Sequence, residues 1–340
     1  MTGHADPRSD CPTFDVYGYR FRVHSDSEWA LDGVCQDFSY FRAAPGVDGT
    51  LIEMVDADPD YAALPECDAA VYTPRNVVYK IDGRSYIDYS GRGLAIHDPV
   101  SGTFRITSRR KDLLYESSYL FLLSQIGQAL DRKGLHRLHA LAVSIRGKAI
   151  LVLLPMGGGK STLGAGLLEY PDVGLLSDDS PFIDASGRSL AFPLHLGLLP
   201  GQEATVPPEH RREIDRMEFG VKHLVNIDYF ADRLVSAAEP GLILLGRRTL
   251  SKECRIERAG TTAALRAMIA NCVVGLGLFH GLEFILSASA WELASKASLA
   301  VSRLNNCLAL SRRSETYYLR MGRDVKENAR AVVEFSRSVL

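Results

Sequence analysis

The chain has 340 residues, 46% of them hydrophobic and 24% charged, and a formal net charge of −2. A net charge so near zero argues against binding to nucleic acid through a broadly basic surface. No run approaches the roughly 18 apolar residues of a membrane span, so neither a nucleic acid nor a membrane is expected as a partner. At roughly 100–200 residues per domain the length predicts two domains. Six scattered cysteines without a CxxC pair predict a cytoplasmic protein with reduced thiols.

The first domain is predicted to be β-rich and to occupy residues 13–134, after a disordered tail over residues 1–12. The tail is polar and lacks the apolar stretch of a secretory signal. Phe14 to Val23 alternates apolar and polar side chains, which predicts one half-buried strand. A helix capped near Ser25 or Ser27 is expected next.

Short β-type runs then alternate with Asp-Gly and Ser-Gly pairs, which favour hairpin turns because the turn residues adopt positive φ. The sequence therefore predicts a small antiparallel meander of Val77–Ile81, Ser85–Tyr89, Leu94–His97 and Thr103–Thr107. Three tyrosines of this region suit core packing or recognition of a peptide: Tyr79, Tyr86 and Tyr89. A linking helix over Tyr115 to Lys133 should end at Gly134.

Mixed α/β structure is predicted for the second domain, residues 135–340. Two apolar runs around Arg146-Gly147, Leu138–Ile145 and Ala149–Leu154, predict a hairpin. Further strands are expected at Val173–Leu176, Phe182–Asp184, Ser189–Phe192 and Leu242–Leu245. Helices are expected at Thr262–Ala270, Ala290–Leu304 and Val325–Val339, the last capped by Asp324.

A glycine-rich loop follows the second strand of this hairpin and opens a helix. Glycines let backbone N–H groups converge on phosphate oxygens, and a helix N-terminus adds partial positive charge. The pattern predicts a nucleotide site on Gly157, Gly158, Gly159, Lys160, Ser161 and Thr162. Lys160 would reach the β/γ-phosphates and Ser161 would ligate Mg²⁺. Leu154 stands where the first glycine of GxxxxGK[ST] falls, so a plain glycine turn with an exposed Lys160 is the alternative.

Two adjacent carboxylates, Asp178 and Asp179, end the next apolar strand. Such a pair can hold Mg²⁺ and accept a proton from an attacking hydroxyl. A solvated turn before Ser180-Pro181 is the structural alternative. Next to a phosphate loop, the pair favours phosphoryl transfer, with ATP and Mg²⁺ as cofactors.

The order of these motifs resembles the HPr kinase/phosphorylase family. In that family a histidine opens the hairpin, the second strand enters the phosphate loop, and an Asp-Asp pair ends the next strand. The matching positions are His139, Gly147, Gly157, Gly159, Lys160, Ser161, Asp178 and Asp179. Leu154 and Ala140 depart from the family pattern, which has glycine at both places. The resemblance covers residues 135–192 and implies an α+β HPr-kinase-like P-loop domain, related to phosphoenolpyruvate carboxykinase, behind a small β-rich domain.

The whole chain is similar to HPr-kinase-related proteins of bacterial peptide-modification clusters, including lasso-peptide kinases, which phosphorylate a serine of a precursor peptide. The resemblance therefore implies an ATP-dependent serine kinase with a peptide or protein substrate. It implies that Asp178 accepts the hydroxyl proton and that Asp179 supports the metal with Ser161. Lys160 would neutralise the charge on the phosphoryl group. His139 would tune the protonation of the acidic pair and the phosphates; the structural alternative is a histidine hydrogen-bonded at the start of a strand. The two aspartate roles could be exchanged, and a homo-oligomer is left open.

Three other interpretations stay open: a shikimate-kinase-like enzyme, another small-metabolite kinase, and a nucleotide-binding regulator without turnover. A basic side chain for the departing phosphate is expected at Arg247, Arg248 or Lys222-His223. The polar stretch Pro200 to Met217 suits a mobile flap over the substrate or a plain surface loop. The remaining histidines weighed as metal ligands are expected to be structural: His136, His195 and His280.

Overall fold

The computed structural model describes residues 11–46, 48–198, 206–216, 220–273 and 290–340. The chain divides into two compact units. Of the described residues, the first unit contains those up to Ala129 and those within Glu213–Lys222, and the second contains those within Leu130–Arg212 and those from His223 onward.

The predicted disordered tail is wrong in its last two residues. Cys11 is buried, and the Pro12 carbonyl accepts a hydrogen bond from the Val23 N–H at 3.1 Å. Residues 1–10 lie outside the described part of the chain.

The elements up to and including the linking helix form the first unit, but the last residues of this helix belong to the second unit. In chain order they are β1 (Thr13–Val16), β2 (Tyr19–Ser25), α1 (Glu28–Asp37), β3 (Arg42–Ala43), β4 (Thr50–Val55), β5 (Ala69–Tyr72), β6 (Val77–Ile81), β7 (Arg84–Asp88), β8 (Leu94–Asp98), β9 (Thr103–Thr107) and α2 (Lys111–Arg132). The strands join into a nine-stranded sheet in the order β3-β1-β2-β4-β9-β8-β7-β6-β5.

The meander from β6 to β9 is antiparallel, as the Asp-Gly and Ser-Gly pairs predict. It continues into a larger mixed sheet, because β2 and β9 both pair in parallel with β4. The single strand predicted over Phe14 to Val23 is wrong. Tyr17 and Gly18 have φ of 52° and 82° and turn the chain, so that β1 pairs antiparallel with β2. The apolar alternation continues through both strands of this hairpin and hides the turn.

Aromatic side chains fill the core of the first unit. Phe104 of β9 stacks on Phe121 of α2 with ring centroids 4.0 Å apart. The Tyr115 hydroxyl donates to Asp37 at 2.6 Å, which satisfies a fully buried carboxylate. Tyr86 and Tyr89 are also buried, so these two tyrosines belong to the core rather than to an exposed recognition surface.

The remaining elements follow α2 in chain order. They are β10 (His136–Arg137), β11 (Leu141–Ile145), β12 (Lys148–Leu153), α3 (Lys160–Leu168), β13 (Val173–Ser177), β14 (Phe182–Ile183), β15 (Ser189–Leu190), β16 (His195–Leu198), β17 (Arg211–Arg216), β18 (Gly220–Asn226), β19 (Ala237–Arg248), β20 (Arg255–Arg258), α4 (Thr261–Met268), α5 (Ala290–Arg312), β21 (Glu315–Met321) and α6 (Val325–Val339). Helix α5 continues well beyond its predicted end at Leu304, and α4 passes into a π-helical turn at Ile269–Val273.

The main sheet of the second unit has the order β10-β14-β15-β19-β12-β11-β13, with β21 added beside β19. The predicted hairpin is confirmed: β11 and β12 pair antiparallel around the Arg146-Gly147 turn. Strands β12, β19 and β21, by contrast, are parallel neighbours. Because parallel strands share one direction, their carboxyl ends meet at one edge of the sheet. The described chain is therefore mixed α/β, with mixed sheets rather than one parallel sheet.

Helix α6 has the predicted amino-terminal cap, because the Asp324 carboxylate accepts from the Glu327 N–H at 3.1 Å. Its inward face packs into the apolar core of the second unit through Ala329, Val332 and Val333.

His136 belongs to a buried polar network between the linking helix and α5. Its ring contacts Asp131 and Ser302, each at 2.8 Å, and Arg303 donates to Asp131 at 2.6 Å. Burial raises the pKa of Asp131, but the hydrogen bonds from His136 and Arg303 outweigh it, and the pKa lies below its usual range. None of the six cysteines forms a disulfide. Among the described helices, none combines the length and apolar character needed to cross a bilayer.

Candidate active site

The glycine-rich loop joins the carboxyl end of β12 to the first residue of α3, and each of its glycines is needed for a steric reason. Gly157 and Gly159 have φ of 71° and 96°, a region that side chains with Cβ rarely adopt. At Gly158 a Cβ would lie only 2.8 Å from the Pro155 carbonyl oxygen. The loop therefore has the backbone form that only glycine allows, and its end coincides with a helix N-terminus.

Leu154, which occupies the place of the usual first glycine, is buried beneath the loop. It packs against Gly246 of β19, where a Cβ would lie 2.5 Å from Leu154 Cδ2. The Leu154 carbonyl still faces the loop and accepts from Lys160 Nζ at 2.9 Å. The missing first glycine is thus matched by a glycine on the neighbouring strand, which provides the room for the larger side chain.

This pairing predicts strong coupling between the two positions. Gly246→Ala should destabilise the protein by about 1–3 kcal/mol through overpacking, and Leu154→Ala by about 2–5 kcal/mol through a cavity. The double variant should lose clearly less than the sum, because the new methyl group fills part of the space that the leucine leaves. Urea denaturation of the four proteins measures the coupling. Strictly additive losses would show that the two residues do not share this space.

Lys160 lies at the centre of the site and is buried. Its ammonium group donates to His139 Nε2 at 2.9 Å as well as to the Leu154 carbonyl, and it lies 3.5 Å from Asp179 Oδ1. The other ring nitrogen, Nδ1, lies 3.3 Å from Asp179 Oδ1. The lysine, the histidine and the second aspartate therefore form one contiguous group.

Backbone hydrogen bonds explain why His139 meets Asp179. The N–H groups of Leu138 and Ala140 donate to the carbonyls of Pro181 and Asp179, at 2.9 and 3.0 Å. Between them, the His139 N–H donates to the Asn271 carbonyl at 3.1 Å, from the π-helical turn after α4. The role of Asn271 has no signal in the sequence, because a backbone carbonyl can come from any residue type.

Asp178 has different surroundings, although it is adjacent in sequence. Its Oδ2 accepts from the Ser161 hydroxyl at 2.7 Å. Helix α3 passes close to Asp178, and a Cβ on Gly164 would lie 3.7 Å from its Oδ1. Asp178 is only 9% exposed, whereas the Asp179 side chain is 46% exposed. One carboxylate is thus held against the loop serine, and the other is open to solvent beside Lys160.

Ser161 and Asp178 present a hydroxyl and a carboxylate oxygen side by side, the hard donors that Mg²⁺ prefers. Among the described residues, no three His, Cys, Asp or Glu side chains cluster closely enough to form a dedicated metal cage. Magnesium at kinase sites commonly uses one or two protein oxygens together with phosphates and water. The pair fits such an ion.

Of the two arginines at the end of β19, Arg248 is the one at the loop. Its Nη1 would lie 3.7 Å from a Cβ on Gly159, whereas Arg247, the preceding strand residue, points to the opposite face. The predicted flap falls partly outside the described residues. The part that is described is not an open loop: residues 208–210 form a 3₁₀ turn and Arg211–Arg216 is strand β17, with Ile214 buried. His195 is half-buried in β16, and His280 lies outside the described residues.

Comparison with known proteins gives no family for this chain. No protein-family model matches it, and no curated protein matches it either.

Proposed function

We propose that the protein is an ATP-dependent kinase that transfers the γ-phosphoryl group to a hydroxyl, with a serine of a peptide or protein as acceptor. The observation that carries the proposal is the group around Lys160. A glycine loop opens a helix, its lysine contacts a histidine and a solvent-accessible carboxylate, and the next serine contacts a second carboxylate. Phosphoryl transfer relies on positioning and charge stabilisation, and these are the groups that it uses.

The phosphate end of the nucleotide would be held by the backbone N–H groups of residues 157–162 and by the Lys160 ammonium. Ser161 and Asp178 would hold the magnesium ion. When bound, Mg²⁺ supplies positive charge that offsets the charge on the transferring phosphoryl group. The Lys160 ammonium is already fixed by the Leu154 carbonyl and His139, so little reorganisation is required of it.

The contacts favour Asp179 as the acceptor of the hydroxyl proton and Asp178 as the carboxylate on the metal side. Asp179 is accessible, lies beside the lysine that would contact the γ-phosphate, and faces His139 Nδ1. Asp178 is buried and engaged by Ser161. The roles expected from the sequence are the other way round, with Asp178 as the base and Asp179 at the metal, and they could be exchanged; the contacts favour the exchanged assignment. His139 then acts as a positioning residue, because its ring spans the lysine and the base.

The proposed fold is that of the HPr-kinase-like proteins. An antiparallel hairpin feeds the loop, and the acidic pair follows β13, which pairs with β11 rather than with β12. A shikimate-kinase-like enzyme would have a parallel sheet in which one strand leads to the loop. The mixed sheet therefore favours the first family over the second. A cytoplasmic location, expected from the unpaired cysteines, goes with this proposal.

The proposal is tested by binding and by transfer. Calorimetry with ATP and Mg²⁺ should give a saturable heat. Incubation with γ-labelled ATP and serine-containing peptides encoded beside the gene should then label a peptide on serine. A set of free sugars, alcohols and amino acids serves as the matched small-acceptor control.

Each alternative gives a different pattern. Label on a free metabolite but on no peptide would identify a small-metabolite kinase. Tight ATP binding without transfer to any acceptor would indicate a regulator. Absence of any binding heat would exclude the proposed nucleotide site itself.

A further inference from the structure

Three arginines form a row across neighbouring strands of the second unit. Arg247 of β19 is directly opposite Arg320 of β21, and Arg320 is directly opposite Arg255 of β20. Side chains at directly opposite positions of paired strands point to the same face of a sheet. All three side chains are exposed. We call them the arginine row; with strands about 4.8 Å apart, it extends about 10 Å across the sheet.

The fold itself does not account for the arginine row, because like charges directly opposite each other on neighbouring strands are destabilising. Arg320 contacts Glu257 at 3.2 Å. Arg255 contacts Glu253 at 3.4 Å. All four of these side chains are more than half exposed, and ion pairs so open to solvent contribute little. Arg247 forms no ion pair with any described residue. The row therefore keeps positive charge available for a partner.

The surroundings of the row are also basic, although the whole chain has a net charge of −2. Residues 247–258 and 320–324 contain seven arginines and lysines and three acidic residues, one of which, Asp324, caps α6. Backbone hydrogen bonds hold the two segments together, since the Arg323 N–H donates to the Ser251 carbonyl at 2.8 Å. A fixed surface with a local excess of positive charge attracts anionic partners.

The row begins where the phosphate loop begins. Leu153, the last residue of β12, is opposite Leu245 of the parallel strand β19. Arg247 is two residues further along β19, beyond the end of β12 and level with the start of the loop. From there the row leads outward to β20, which pairs with β21 alone among the described strands. It therefore connects the edge of the sheet with the phosphate loop.

The row also lies on the side of the sheet where His139 is held. Leu244 of β19 belongs to the core that α3 and α6 share, so by strand alternation Arg247 faces the other side. Helix α4 packs against β19 and β21 on that other side, because its buried Met268 is not part of this core. The turn after α4 supplies the Asn271 carbonyl that binds the His139 N–H. A chain lying along the row would thus approach the reacting groups from the side of α4.

We propose that the arginine row binds an acidic segment of the peptide acceptor, with Asp or Glu carboxylates on the three guanidinium groups. The planar guanidinium matches a carboxylate with two parallel hydrogen bonds, which favours arginine for this role. The inference rests on the proposed function, because it needs a peptide as the acceptor. It adds that acceptors carry acidic residues near the serine, and that the row acts on the binding of the peptide rather than on the transfer step.

The test uses two fluorescein-labelled synthetic peptides, one with a run of glutamates beside a serine and one with glutamine in place of each glutamate. Fluorescence anisotropy measures their affinities for the full-length protein at low salt, without nucleotide. The glutamate peptide should bind about tenfold more tightly, the size of two or three exposed ion pairs. The double variant Arg247→Gln with Arg320→Gln should lose most of this preference.

A second double variant, Lys148→Gln with Arg312→Gln, is the matched control. It removes the same charge from exposed positions, one at the opposite end of β12 and one at the end of α5. It should keep the preference for the glutamate peptide. Thermal unfolding checks that both variants are folded. With the peptide acceptor that the transfer assay labels, the row variant should raise KM about tenfold and leave kcat unchanged.

Three results would overturn the inference and leave the proposed kinase intact. They are equal binding of the two peptides by the unaltered protein, a preference that survives in the row variant, and a fall in kcat without a change in KM. Tighter binding of a short single-stranded oligonucleotide, lost in the same variant, would make the row a nucleic-acid surface and would also overturn it. Absence of transfer to every peptide and small acceptor would remove the kinase, and with it the assignment of the bound peptide as acceptor.

Discussion

Replacing Lys160 by methionine should lower phosphoryl transfer by about a thousandfold or more, because a fixed positive charge at the transferring group supplies much of the rate. Methionine keeps an unbranched side chain, one heavy atom shorter, and removes the ammonium that joins the loop to His139 and Asp179. The rate of labelled phosphoryl transfer at saturating ATP measures the effect.

A surface lysine gives the control. Lys252→Met changes an exposed lysine of the same unit and should leave the rate as it is. Thermal unfolding of both variants checks that Lys160→Met remains folded. A folded Lys160→Met protein with near-normal turnover would contradict the role given to this side chain.

The two aspartates should respond differently to replacement by asparagine. Asp179→Asn should lower kcat by about 10²–10⁴-fold, the range typical of a lost general base, with the Mg²⁺ concentration for half-maximal binding unchanged. Asp178→Asn should instead raise that Mg²⁺ concentration, because the carboxylate beside Ser161 is the one on the metal side. Binding of Mn²⁺, followed by electron paramagnetic resonance with ADP present, measures the metal without turnover.

Asp232→Asn, at an exposed position of the same unit, serves as the control for loss of one negative charge. The opposite pattern would restore the assignment expected from the sequence. A Mg²⁺ shift in Asp179→Asn, together with loss of kcat alone in Asp178→Asn, would establish Asp178 as the base.

Local patterns in the sequence predicted much of the fold. The meander strands, the hairpin before the loop and the Asp324 cap follow from turn residues and apolar periodicity, which act over a few positions. The turn at Tyr17-Gly18 was not predicted, because the alternation of apolar and polar side chains continues through it. The order of the strands in each sheet was not predicted either, since the placement of β19 between β12 and β15 depends on contacts between segments distant in sequence.

The residues of the candidate site are recognisable in the sequence, but their arrangement is not. The loop, its lysine and the acidic pair form recognisable spacings, and the structure brings them together with His139. Which carboxylate faces Ser161 depends on how α3 lies against β13, and no spacing encodes that. Arg248 and Arg247 are equivalent in the sequence and separate only once the direction of β19 is fixed.

The parallel trio of β12, β19 and β21 has a consequence for synthesis. The lysine, histidine and aspartate group lies within one continuous stretch, apart from the Asn271 carbonyl, so most of it can assemble while translation is still under way. Strand β21 and helix α6, the helix that packs against α3, come much later in the chain. The growing chain therefore acquires the group around Lys160 early and the elements that pack beside it later, so that intermediates of synthesis should lack this support.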